Sequence, residues 1–81
     1  MKELVEMIAK ALVDNPEQVV VRSIDGEQST VLELKVAPTD LGKVIGKQGR
    51  TAAALRTLAS TAGEREGLAI TLEIRDTPYR A

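Results

Sequence analysis

The 81-residue chain has no cysteine, histidine, tryptophan or phenylalanine, and only one tyrosine, Tyr79. Without cysteine there is no disulfide framework and no thiolate metal site, a composition that fits a reducing compartment such as the cytoplasm. Without histidine, zinc sites of the Cys/His type and imidazole proton relays are excluded. A single aromatic residue leaves almost nothing on which nucleic-acid bases could stack. Long apolar runs are also missing. The longest is Ala52 to Leu55, far short of a membrane span. The first ten residues carry charges at Lys2, Glu3, Glu6 and Lys10, and no apolar stretch follows them, so they do not read as a signal peptide. The expected location is cytoplasmic.

What is present is ordinary for one small folded domain. Apolar residues make up 43% of the chain, too many for a disordered segment. A domain of this size supports one modest core. The net charge is −1, from 11 basic and 12 acidic residues, but it is unevenly spread. From Leu41 to Gly63 there is no acidic residue, and Lys43, Lys47, Arg50 and Arg56 give that stretch +4, leaving −5 for the remainder. Such asymmetry marks either an anion-facing surface on an acidic body or a solvated helix that happens to be basic.

The hydrophobic pattern predicts six elements. Residues 2–13 form an amphipathic helix, with Leu4, Ile8, Ala11 and Leu12 at helical spacing and Val5 beside them. On this spacing Leu4, Ile8 and Leu12 are core residues. Asp14-Asn15-Pro16 ends the helix, because the residue before proline avoids helical angles. Residues 18–24 are β-branched and read as a strand. Asp25-Gly26 starts a turn, and residues 29–37 alternate as a second strand with Leu32, Leu34 and Val36 on one face. Pro38 ends that strand, and Thr39 or Asp40 is placed to cap a short helix over about 40–45. A longer helix over about 50–62 carries Ala52, Leu55, Leu58, Ala59 and Ala62 on one stripe, with Gly63 as its stop. Residues 68–75 alternate again, with Leu68, Ile70, Leu72 and Ile74 inward. The order is α-β-β-α-α-β. The expected fold class is α+β, with a three-stranded mixed sheet covered on one face by three helices. The second and third strands, joined through two helices, can pair in parallel. A single domain over 1–75 and a short tail over 76–81 complete the plan.

Between the two central helices lies Val44-Ile45-Gly46-Lys47-Gln48-Gly49-Arg50-Thr51. Glycine permits turns closed to other residues and leaves no Cβ to obstruct an approaching chain. The helix that follows offers unpaired N–H groups and the positive end of its dipole, where phosphate sits well. Lys47 and Arg50 add full charges, and Lys43 can reach the same side. Spacing alone favours a plain turn between two helices. Two nucleotide-binding alternatives fail. A Walker loop starting at Gly42 needs glycine where Lys47 stands, and no G-x-G-x-x-G triplet exists.

In this context the chain resembles a KH domain of type II topology over residues 2–75. More closely, Ile45 to Thr51 with Ala54-Leu55-Arg56 resembles the small stand-alone bacterial KH proteins, the KhpA (YlqC-like) family. The resemblance implies binding of single-stranded RNA, with the Gly46–Gly49 loop clamping the sugar-phosphate backbone. It implies that Gly46 and Gly49 shape the loop, that Lys47 and Gln48 face phosphates, that Ile45 flanks an aliphatic base groove and that Leu55 supports it. Lys43, Arg50 and Arg56 join the expected site on electrostatic grounds. The resemblance further implies a role as an RNA chaperone or post-transcriptional regulator linked to cell elongation. Its implied partners are RNA and either a second copy or a larger Jag-type KH protein. No cofactor is expected.

The remaining polar residues take plain readings. Glu64 and Glu66 flank Arg65 in a solvated loop, and Asp25 is a turn residue rather than a metal ligand. Thr51 and Ser60 have no base to activate them, so an enzyme is not expected. Tyr79 is expected to pack the tail against the sheet. The alanine-rich helix suggests an alternative main task, pairing with another KH protein, in which RNA contact is secondary.

Overall fold

A computed structural model describes residues 1–76. It contains α1 (Lys2–Leu12), β1 (Val20–Asp25), β2 (Ser29–Val36), α2 (Leu41–Ile45), α3 (Arg50–Arg65) and β3 (Ala69–Asp76). The sheet order is β1-β2-β3. β1 and β2 run antiparallel and β2 and β3 parallel, with Leu32 opposite Leu72. This is the expected α+β architecture of the type II KH fold. Asp76 closes β3, one residue beyond the expected end of that strand. The expected packing of Tyr79 lies outside the described residues.

One face of the sheet carries the core. Leu32, Leu34 and Val36 of β2 are buried together with Val21 of β1 and Leu72 of β3. Burying a side chain of this size contributes about 1.5–3 kcal/mol. The alternate residues Glu33 and Lys35 face the other side, where Arg22 Nη1 lies 3.8 Å from Glu33 Oε1. α1 packs on β1 and β2, α3 packs on β3, and α2 lies between the two helices and reaches β3.

Four local expectations are corrected. The buried line of α1 is Val5 and Ala9, with Met1, Ile8 and Val13 half-covered, whereas Leu4 and Leu12 are 37% and 39% exposed. The apolar stripe of α1 is wider than its contact with the sheet, and the helix is rolled toward Val5. β1 starts at Val20 rather than residue 18, because Pro16–Gln18 forms a single 3-10 turn closed by the Val19 N–H on the Pro16 carbonyl at 3.1 Å. α3 does not stop at Gly63. It continues to Arg65, and Gly63 is a buried interior residue at which a Cβ would come within 2.7 Å of Ile70 Cγ1 and of the Leu68 carbonyl oxygen. Its glycine is required by close helix-to-strand approach, not by a turn. Leu58, expected on the buried stripe, is 39% exposed, and the stripe is Ala52, Leu55, Ala59 and Gly63.

A fifth correction concerns Asp40. Neither it nor Thr39 makes a side-chain cap for the helix that follows. Asp40 is 1% exposed, and its carboxylate turns back to the loop after α1. Oδ1 accepts the Asp14 backbone N–H at 3.2 Å, and Oδ2 accepts the Asn15 backbone N–H and its Nδ2 at 3.0 Å each. Burial alone would raise this carboxyl. The Asn15 amide, the two backbone N–H groups and the Lys43 ammonium outweigh it, and its pKa lies below the ordinary 3.8.

Candidate nucleic-acid interface

α2 ends at Ile45, and the chain reverses over the next four residues. The Gly46 N–H bonds the Gly42 carbonyl at 2.9 Å, closing the helix, and the Gly49 N–H bonds the Gly46 carbonyl at 3.1 Å. Gly46 has φ 77° and ψ 173°, a region essentially restricted to glycine. A Cβ there would collide with the Thr51 hydroxyl oxygen and stand 2.7 Å from Thr51 Cβ. Gly49 is left-handed at φ 73° and ψ 13°, yet nothing lies within 4 Å of where its Cβ would be. The two glycines therefore do different work. Gly46 lets two helices approach, and Gly49 sets a backbone angle.

Between them, Gln48 is the one non-glycine with positive φ among the described residues, at φ 58° and ψ 25°. Gln48 and Gly49 are thus two consecutive left-handed residues. They lift the Lys47-Gln48 pair off the helices, and both side chains are exposed. Each left-handed residue other than glycine costs roughly 1–2 kcal/mol. Strain of this kind concentrates at binding loops.

The basic residues divide into three settings. Lys47 and Arg50 are exposed and have no carboxylate within 4.0 Å among the described residues. Lys43 is engaged, its Nζ 3.2 Å from Asp14 Oδ2, so it faces the loop after α1. Arg56 lies two turns into α3 and donates from Nε to the Leu72 carbonyl of β3 at 3.4 Å. Ile45 is 36% exposed beside the loop, while Leu55 is buried in the core. The loop thus brings together Ile45, Gly46, Lys47, Gln48, Gly49 and Arg50, with Lys43 and Arg56 pointing to different neighbours.

Two features of this region escaped the sequence. Asp40 reads as punctuation after Pro38, and Asn15 as punctuation before Pro16, so nothing local links residues 25 positions apart. The Arg56 contact was equally hidden, because an exposed arginine on a helix gives no hint of the strand beside it.

The fold and the loop can now be set beside known proteins. The sequence profile of the KhpA/KhpB KH domain matches residues 2–74. The chain belongs to that family. The "RNA-binding protein KhpA" of Clostridium perfringens is 58% identical over 74 residues, covering 91% of this chain and 99% of that protein. The protein of the same name from Caldanaerobacter subterraneus is 60% identical over the same length, with the same coverage. The corresponding protein of Aquifex aeolicus is 53% identical, covering 91% of this chain and 94% of its own. These are KH proteins named for RNA binding, and the family is not one of enzymes. Among solved structures, Aquifex aeolicus Era bound to GDP.AlF4- aligns with TM-score 0.62 and 18% identity. The alignment covers 95% of this chain but only 30% of Era, and the likeness concerns the fold alone. Among the described residues, no helix is long and apolar enough to cross a membrane.

Proposed function

We propose that this protein binds single-stranded RNA in the cytoplasm, with the Gly46–Gly49 loop clamping the sugar-phosphate backbone. The observation that carries the reading is the loop itself. Two left-handed residues raise Lys47 and Gln48 into solvent, and Lys47 and Arg50 stand without carboxylate partners among the described residues. A backbone phosphate offers those cations and the exposed end of α3 the negative charge they lack. The names of the relatives support the same reading. With a chain of net charge −1, affinity rests on this one basic segment.

The test is fluorescence anisotropy with a labelled, randomised single-stranded RNA, for wild type and a Lys47→Asp, Gln48→Asp double variant. Aspartate tolerates left-handed backbone, so the variant keeps the loop. It also sets two carboxylates against phosphates. We expect binding to fall more than tenfold with an unchanged circular dichroism spectrum. For two or three neutralised phosphates, log K of the wild type falls with log salt at a slope of about −1.4 to −2. A folded double variant of undiminished affinity removes the loop from the site.

A second reading has its own observation. Leu58 is 39% exposed on an outward face of α3, next to the small exposed residues Ala54, Thr57 and Thr61. This face suits close helix packing against a second copy or a larger Jag-type KH protein. Through such a partner the protein would act in RNA chaperoning or regulation linked to cell elongation. Sedimentation of a strictly monomeric species at high micromolar concentration overturns the self-pairing.

A further inference from the structure

Arg56 differs from the other cations of the basic segment. It lies six residues beyond Arg50, roughly 1.7 helical turns, so the two do not share a face of α3. Its helical neighbours Ala52 and Ala59 are buried, which puts Arg56 on the margin where α3 meets β3. There Nε donates to the Leu72 carbonyl at 3.4 Å. Among the described residues β3 is an outer strand whose only partner is β2, and the carbonyl taken by Arg56 belongs to its unpaired edge. No other hydrogen bond or ion pair engages the guanidinium among the described residues.

A guanidinium is planar, and its donors have a fixed fork geometry. Anchoring one donor on a backbone oxygen restricts the plane of the rest. The remaining N–H groups then present donors only, along a strand edge, about 10 Å along α3 from the loop proposed to hold the backbone. A phosphate satisfies such a fork without regard to sequence. A base does so only when it offers two adjacent acceptors. Guanine does, at O6 and N7, and cytosine does, at O2 and N3. Adenine sets its N6 donor beside N7, and uracil sets N3–H between its two oxygens.

We propose that Arg56 is the base-selecting residue of the RNA interface, its fork favouring guanine or cytosine over adenine and uracil beside the β3 edge. This rests on the RNA-binding reading above. It departs from the electrostatic role the sequence suggested for Arg56, which was the same as that of Arg50.

The experiment uses the full chain and four labelled RNA octamers. One is all uridine, and the others carry GG, CC or AA at the two central positions. Wild type, Arg56→Ala, Arg56→Lys and Arg50→Ala are titrated by anisotropy at two salt concentrations. We expect wild type to prefer the GG or the CC octamer over both AA and all-uridine by about fivefold or more. Arg56→Ala abolishes that preference and leaves affinity for the all-uridine octamer within about twofold. Arg56→Lys keeps the charge but loses the fork, and loses the preference with it. Arg50→Ala weakens all four octamers alike and reduces the salt slope by about 0.7. Three results overturn the proposal. One is a wild type without preference. Another is an Arg56→Ala variant that weakens all octamers equally with a reduced salt slope, which makes Arg56 a phosphate contact. The third is an Arg56→Ala variant unchanged on every octamer, which leaves Arg56 only closing the sheet edge. Failure of wild type to bind any octamer defeats the RNA reading itself and is distinct from these three.

Discussion

Helix α2 is five residues long, and its two ends differ in kind. At the Leu41 end, Asp40 is buried and its carboxylate holds three N–H groups of Asp14 and Asn15. At the Ile45 end, Lys47, Gln48 and Arg50 are exposed, and neither cation meets a carboxylate among the described residues. A helix this short cannot hold its own position, since isolated helices need about 12–15 residues to be even marginal. Its position comes from what each end grips. One end is fixed by satisfied polar groups inside the protein, so the other can hold a strained, unsatisfied loop toward solvent.

Substitutions at both ends sharpen this contrast. The largest effect is expected at Gly46. Gly46→Ala brings a methyl against Thr51 and forces alanine into glycine-only angles, a cost of order 1–3 kcal/mol before the steric clash is counted. Its melting temperature should fall by several degrees, with RNA affinity falling alongside. Gly49→Asn is the control within the same loop. Its Cβ meets open space and asparagine tolerates left-handed angles, so melting should shift far less. Equal destabilisation by the two would show that only the backbone angle matters at Gly46.

The anchored end is broken with Asp40→Asn, which turns an amide N–H₂ toward N–H donors. The variant should melt at a lower temperature than wild type at neutral pH. The Asp40 pKa is lowered by folding, so its stabilising contribution is complete above about 3.8 and is lost as the pH falls from there through the folded-state value. The gap between wild type and variant should therefore close on acidification below about 3.8. Thermal melts followed by circular dichroism from pH 7 to pH 2.5 measure it. A gap that persists undiminished at the acid end removes the charge of Asp40 from the anchor. The smallest effect of all is expected from Lys43→Gln. The pair it makes with Asp14 is exposed, and exposed ion pairs contribute about 0–1 kcal/mol.

Much of this was legible in the sequence because it is periodic. The alternation Leu32, Leu34, Val36 gave both the strand and its buried face, and the Gly-Lys-Gln-Gly run marked the loop. What was not legible depends on the third dimension. α1 has more apolar positions than the sheet can cover, so spacing chose Leu4 and Leu12 where packing chose Val5 and Ala9. Gly63 looks like a helix stop, because a glycine demanded by a neighbouring strand has the same letter as one demanded by a turn. Asp40 looks like a cap, because its partners lie 25 and 26 residues away. Within the site, the loop could be read from residue types, but the separate settings of Lys43, Arg50 and Arg56 could not, since charge alone carries no direction.

The parallel pairing of β2 with β3 also governs when the site comes into being. Each residue of β2 meets one forty positions later, as Leu32 meets Leu72, and the whole loop lies inside that crossover. A contact of such range closes late, because the intervening chain must surrender its freedom first. On a ribosome, a nascent chain that has emerged only as far as Gly67 carries every residue of the Gly46–Gly49 loop but lacks the strand on which α3 rests. The support on which the loop and α3 rest is thus deferred until β3 is made.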